Sequence, residues 1–343
     1  SITEENRMEL FRRRAARLQK GELCAVDSTS RSAYGNTLTD VKWGKNKDKL
    51  PLEQTMETVV YTLDSHMPVY YRAFPGNIPD SRSVETILTD IRHAGFPHVI
   101  LITDRGYESL QNLERYILAG QAMIMCVKVR QKMVLEKIRE FGDFGGRPPV
   151  MEIDPKSKLY HKQYDLEYPV TGKGGSTTQS DRLRLNLYFD AIRRGTELTA
   201  LDVNIAMQRA ALQEIKEMGA SLDDDVTIKR NYNYFDIDYN ESDRTIQRFT
   251  LNEEKVTAAR RTSGFFAIMT HKLDMDPITV LDNYGLRDEQ EKYFQQMKSQ
   301  MNINRQRTWS EEGKSGRHFI TFIALIISSY LRNIWKTTPL KDR

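Results

Sequence analysis

The sequence predicts an α/β protein in which a mixed sheet, flanked by helices, is interrupted by a mainly β insertion. Three observations carry this. Short apolar strands alternate with amphipathic helices over residues 21–129; turn-rich segments and alternating strands fill 130–262; a buried strand and helical segments return over 263–343. A basic N-terminal helix over 1–20 precedes them. The two flanking regions read as the two parts of one core, and 343 residues leave ample apolar material for it.

"TEENRMELFRRRAARLQK" has helical spacing, with Met8, Phe11, Ala15 and Leu18 on one side and Arg13, Arg14, Arg17 and Lys20 on another. "ELCAVDSTS" reads as a buried strand. "METVVYTLDSHMPVYYRAFPGN" reads as two strands joined by a turn at Asp64 and Ser65. "DSRSVETILTDIRHAGF" follows as a helix, with Asp80 or Ser81 expected as its N-cap and Gly95 as its stop. "HVILITDRGYES" is a continuous apolar strand ending in a carboxylate, "SLQNLERYILAG" a helix and "QAMIMCVKV" another strand. In the insertion, "GDFGGRPPV" and "VTGKGGSTTQS" supply turns, "RLRLNLYFDAI" and "NYNYFDIDY" strands, and "LTALDVNIAMQRAALQEIKEMG" one helix. "GFFAIMTH" resumes the core. "DPITVLDNYGLRDEQEKYFQQMK" is a helix with Asp276 as N-cap and Pro277 at its first position.

Hydrophobic residues at 39% and charged residues at 29% describe an ordinary soluble chain. A net charge of +4 is too small by itself to establish a polyanionic partner. Cys24 and Cys126 lack CxxC spacing, which argues against a disulfide framework or zinc site and for a reducing cytoplasm. "FITFIALIISSYL" is too short to span a bilayer and reads as a buried helix, so no membrane partner is expected. "TGKGGSTT" lacks phosphate-loop spacing. The six histidines lack HExxH or other ligand spacing, leaving His271 and His318 as supporting groups at most.

Two strands end in aspartate, Asp27 in "CAVDSTS" and Asp104 in "ILITDRGY". If the strands are neighbours, both carboxylates emerge at one sheet edge, where α/β sheets carry their sites. The late helix adds a third face to the usual two: Tyr284, Arg287, Glu291 and Lys298 form a polar stripe roughly 60° wide. Glu291 could thereby join the aspartates. Three carboxylates at one edge repel one another, and oxygen-only ligands suit Mg²⁺ or Mn²⁺. Two such ions can activate a water or 3′-hydroxyl and stabilise a leaving oxygen in phosphoryl transfer.

Together, "AVDSTS", "ITDRGY" and the Tyr-x2-Arg-x3-Glu-x6-Lys spacing at Tyr284, Arg287, Glu291 and Lys298 resemble the DDE transposases of bacterial insertion sequences. The resemblance covers about Leu23 to Tyr330 and includes "FPGNIPDS". It implies an RNase H-like catalytic core, divided into 21–129 and 263–343 by the insertion, and two Mg²⁺ or Mn²⁺ ions held by the catalytic residues Asp27, Asp104 and Glu291. It also implies DNA contacts by Tyr284, Arg287 and Lys298, to which Arg105, next to Asp104, and Arg305 and Arg307 of the basic segment "NINRQRTWSEEGK" are added. The expected activity is metal-dependent cleavage at transposon ends and strand transfer into target DNA, by a homodimer on double-stranded DNA in the bacterial cytoplasm, at the nucleoid when bound. Only 26 residues precede Asp27, so end recognition is expected to lie partly outside this chain. Some relatives stack a tryptophan of the insertion on a flipped base. Trp43, Trp309 and Trp335 lie outside that region, leaving Tyr232, Tyr234 or Phe235 as substitutes. The rival readings are a nuclease of the same superfold that joins nothing, and an inactive transposase-derived DNA-binding protein.

Overall fold

The computed structural model describes residues 2–33, 37–45, 50–142, 151–171, 177–222, 224–300 and 305–337; the side chains of 171, 177–179, 289–298, 300, 336 and 337 lie outside that description. In chain order the elements are α1 (Glu4–Ala15), β1 (Leu23–Ala33), β2 (Gln54–Thr62), β3 (Pro68–Pro75), α2 (Asp80–His93), β4 (Ile100–Thr103), α3 (Leu110–Leu118), β5 (Ala122–Val127), α4 (Lys132–Arg139), β6 (Glu152–Ile153), β7 (Tyr160–Thr171) and β8 (Thr177–Phe189). Then follow α5 (Ala191–Met218), α6 (Asp225–Asn231), β9 (Phe235–Tyr239), β10 (Ile246–Leu251), α7 (Glu253–Thr262), β11 (Phe265–His271), α8 (Pro277–Gln300), β12 (Arg305–Gln306) and α9 (Glu311–Thr337).

The chain divides into two compact units, one of 1–128, 163–186 and 268–343, the other of 129–162 and 187–267. In the first, the sheet runs β3-β2-β1-β4-β5-β11-β8-β7, with β12 also on β1. β2 and β3 are antiparallel to their neighbours, whereas β1, β4 and β5 run parallel. This is the mixed sheet, flanked by helices, that the sequence predicts. Its central strands are apolar because both faces are covered: Cys24, Ala25 and Val26 of β1, Leu101 and Ile102 of β4, and Met123 and Ile124 of β5 are buried. On α1, Phe11 packs against Tyr70, Tyr71 and Phe322, with ring centroids 5.0, 5.6 and 5.9 Å away. Such aromatic pairs contribute about 0.5–1.5 kcal/mol each beyond burial. Arg14, assigned from the sequence to the basic face, is instead buried.

The insertion differs from its mainly β expectation. The long strands β7 and β8 contribute residues 163–186 to the first unit's sheet. The second unit is dominated by helices α4 to α7, with β9 and β10 as a separate two-stranded sheet. The physical reason lies in α5. It starts seven residues before the expected helix, because the Asp190 carboxylate accepts from the Ile192 and Arg193 amides, and it runs until Gly219 turns left-handed at φ +60°. Leu201, Ile205 and Leu212 on one face of α5 bury against Leu222, Ile228, Phe235, Ile246 and Val256. That core is the unit's own.

The C-terminal apolar run is also longer and more exposed than the sequence suggests. Residues 311–335 form a helix long and apolar enough to cross a bilayer, judged by length and composition. One side of α9 buries His318, Phe322 and Leu325, while Ile320, Ile327, Leu331 and Trp335 are exposed.

Candidate active site

The register of β1 on β4 fixes the first two carboxylates. Val26 pairs with Thr103, the last residue of β4, so Asp104 leaves the end of that strand beside Asp27. Asp27 itself is not the strand end the sequence suggests: it lies within β1, which runs on to Ala33 because β2 and then β12 continue to pair with it. Both are half-buried. Each accepts a backbone amide: Ser28 N–H donates to Asp27 Oδ1 at 2.8 Å, and Gly106 N–H to Asp104 Oδ1 at 2.7 Å. A Cβ at Gly106 would stand 2.9 Å from Asp104 Oδ1 and 3.2 Å from Asp80 Oδ2, so glycine keeps this turn close to two carboxylates.

Asp80 was singled out from the sequence only as a helix cap, and the structure corrects that role. Pro79 holds the N-cap position with no side-chain cap hydrogen bond; Asp80 is the first helical residue and accepts from Ser28 Oγ–H at 2.5 Å. Tyr107, fully buried, senses the whole group: burial pushes its hydroxyl up, and the charges of Asp80, Asp27 and Asp104 push the same way. The phenol therefore stays protonated. The buried Asn112 amide ties the turn to the helix by donating to the Ser81 and Tyr107 carbonyls at 2.8 and 2.6 Å.

The third expected carboxylate arrives on α8, which starts where the sequence places it. Asp276 Oδ1 accepts from the Ile278 and Thr279 amides, each at 3.0 Å, with Pro277 at the first helical position. The helix packs against β1. Glu291 and Lys298 lie in α8, but their side chains are outside the described residues. Tyr284 and Arg287 are described. The Arg287 guanidinium lies over the Tyr284 ring, 5.1 Å from its centroid, is buried, and reaches Asp288 at 3.1 Å. Burial pushes the Tyr284 hydroxyl up, Cys126 and Asp104 add to this, and Arg287 opposes it. Burial also raises the Cys126 thiol, against the pull of Tyr284, Arg105 and Arg287. Tyr284 and Arg287 thus sit close to Asp104, on the inner side of the helix.

Arg105 is exposed in the turn after Asp104. β12 pairs with the end of β1, Ser32 opposite Arg305, leaving Arg305 and Arg307 exposed beyond it. The two histidines are structural: His271 bonds the Gln121 carbonyl and Asp181, and His318 bonds Glu57. In the second unit, Tyr232, Tyr234 and Phe235 line a cavity of about 950 Å³ together with Lys229, Lys255 and Tyr239.

Among the described residues no three acidic, histidine or cysteine side chains are grouped to hold a metal ion. Asp27 and Asp104 provide two adjacent oxygen donors, the donor chemistry that Mg²⁺ or Mn²⁺ requires, and the helix bearing Glu291 lies beside them. Residues 18–327 match the family model for the transposase DDE domain. The chain belongs to that family. No curated protein matches this DDE-domain chain. Among solved structures, the cryo-EM structure of piggyBac transposase in a synaptic complex with hairpin DNA is similar over 93% of this chain and 48% of its own, at 8% identity and a TM-score of 0.47. The DDE-domain chain therefore spans about half the length of that transposase.

Proposed function

We propose that this DDE-domain protein cuts DNA at transposon ends and joins the freed 3′-hydroxyls to a target. The observation that supports the reading most is the β1–β4 register, which sets Asp27 and Asp104 side by side in a chain of the DDE family. Asp27, Asp104 and Glu291 would hold the two Mg²⁺ or Mn²⁺ ions. When bound, such ions supply Lewis-acid activation of a water or 3′-hydroxyl and charge stabilisation of the leaving oxygen. The chain's own residues orient and grip. Ser28 and Gly106 amides fix the rotamers of the two aspartates. Arg287, stacked on Tyr284, would help grip the transposon-end phosphates with Tyr284, while Arg105, Arg305, Arg307 and Lys298 would neutralise phosphates along double-stranded DNA. Assembly as a homodimer on paired ends belongs to the same proposal.

The alternative is a nuclease that hydrolyses and never joins. Incubation of pre-cleaved ends of the element with supercoiled plasmid and Mg²⁺ separates the two. Joined products support the proposal; degradation without joining supports the nuclease.

A further inference from the structure

The Asp80 carboxylate lies beside Asp104 across Gly106 and takes the Ser28 hydroxyl, whose own backbone amide donates to Asp27. We infer that Asp80 is a positioning residue for Asp27, acting through Ser28. The inference rests on the proposed metal-dependent function and adds a residue to it.

The geometry carries this in three steps. Ser28 is buried on β1 and cannot satisfy its hydroxyl in water, so the side chain turns where an acceptor waits, 2.5 Å away at Asp80 Oδ1. With Ser28 held in this way, its amide and the Asp27 carboxylate form a short closed turn, N–H to Oδ1 at 2.8 Å. Asp80 itself is held from behind: Asn112 ties Ser81 to Tyr107, and Pro79 presets the chain entering α2 at φ −72°. Asp80 stands one residue inside the cap position, which Pro79 occupies, and its carboxylate takes the Ser28 hydroxyl. Outer partners of this kind set the orientation of ligating carboxylates, and their loss costs about 10–100-fold in metal affinity or activity.

Asparagine at position 80 retains an acceptor oxygen for Ser28 but no charge; alanine retains neither. Asp80→Asn, Asp80→Ala and Ser28→Ala would be compared with the parent for the rate of end cleavage in Mn²⁺ and for Mn²⁺ affinity, read from the electron-paramagnetic-resonance signal of the free ion. Positioning predicts that Asp80→Ala and Ser28→Ala lose about 10-fold or more in both readouts, whereas Asp80→Asn stays within about three-fold of the parent. Asp80→Asn loses the charge at the helix start as fully as Asp80→Ala does, so a difference between these two cannot come from the helix dipole. Equal, severe loss in Asp80→Asn would overturn the inference and make Asp80 a charge-bearing ligand. Parental behaviour of Asp80→Ala would overturn it as well. A parent that neither binds Mn²⁺ nor cuts would instead sink the functional reading, and this one with it.

Discussion

Two stretches of β1, four residues apart, hold carboxylates in opposite ways. At Asp27 the carboxylate is half-buried, accepts a backbone amide and stands beside Asp104. At Arg31 the strand is sealed: Arg31 is 0% exposed and holds Glu57 of β2, itself 3% exposed, while His318 of α9 bonds the other carboxylate oxygen at 3.0 Å. Burial by itself would raise Glu57, but Arg31 and His318 outweigh it and bring its pKa to about 2. The difference teaches what each stretch of the strand is for. A fully buried carboxylate has to carry a fixed partner within the fold, whereas half-buried carboxylates can take an exchangeable cation.

The largest structural effect should come from breaking the sealed end. Arg31→Met leaves Glu57 buried without its guanidinium, and should cost about 3–5 kcal/mol in urea unfolding. The combined Arg31→Met, Glu57→Leu, His318→Phe replacement should recover most of that loss, because no charge is then left stranded. A cost below about 1 kcal/mol for Arg31→Met would show that the network does not hold the strand.

Acid should open the same end next. Burial lowers the His318 pKa below 6.5, with Arg31 lowering it further and Glu57 opposing, and Glu57 lies below its ordinary 4.5. In both cases the unfolded chain binds protons that the folded chain does not, so stability increases with pH across this range. The contribution is complete above about pH 6.5. It falls first as His318 must be held neutral, then between pH 4.5 and about 2 as Glu57 is protonated. Urea midpoints at pH 7 and pH 4 should therefore differ less in the triple replacement than in the parent. Equal differences would remove the network from the acid response.

The smallest effect concerns the exposed arginines that β12 brings past the sealed end. Arg305→Ala and Arg307→Ala should each reduce the salt slope of end-DNA binding by about one unit and leave stability unchanged. Glu312→Gln, exposed near the start of α9, serves as the control. An unaltered slope in both variants would place the DNA path elsewhere.

The first unit was legible because its strands are continuous apolar runs and its helices amphipathic, so that Asp104 could be placed at a strand end and Asp276 and Pro277 at a helix start; Asp27 was placed on the right strand, but β1 runs on past it through polar residues that carry no apolar signal. The second unit was less so. Residues 191–197 continue α5 through Gly195, a residue that weakens local helical signals, and only packing of Leu201, Ile205 and Leu212 decides the element. Asp80 was misread for a related reason: local sequence favours a cap, and its partner Ser28 is 52 residues away on another strand. Arg31, Glu57 and His318 carry no local pattern at all. The apolar run of α9 was read as buried because it is apolar on most sides, yet Ile320 and Leu331 are 67% and 59% exposed.

The most direct test of the contrast along β1 is metal-dependent cleavage of the element's own end DNA by Asp27→Asn, Asp104→Asn and Glu291→Gln, with binding of the same DNA followed in parallel. Each variant retains side-chain shape and loses one ligand charge. Cleavage should fall by about two orders of magnitude or more in every variant, while DNA binding persists and the proteins unfold at parental urea concentrations. Near-parental Mg²⁺- or Mn²⁺-dependent cleavage by any one of the three would contradict the account.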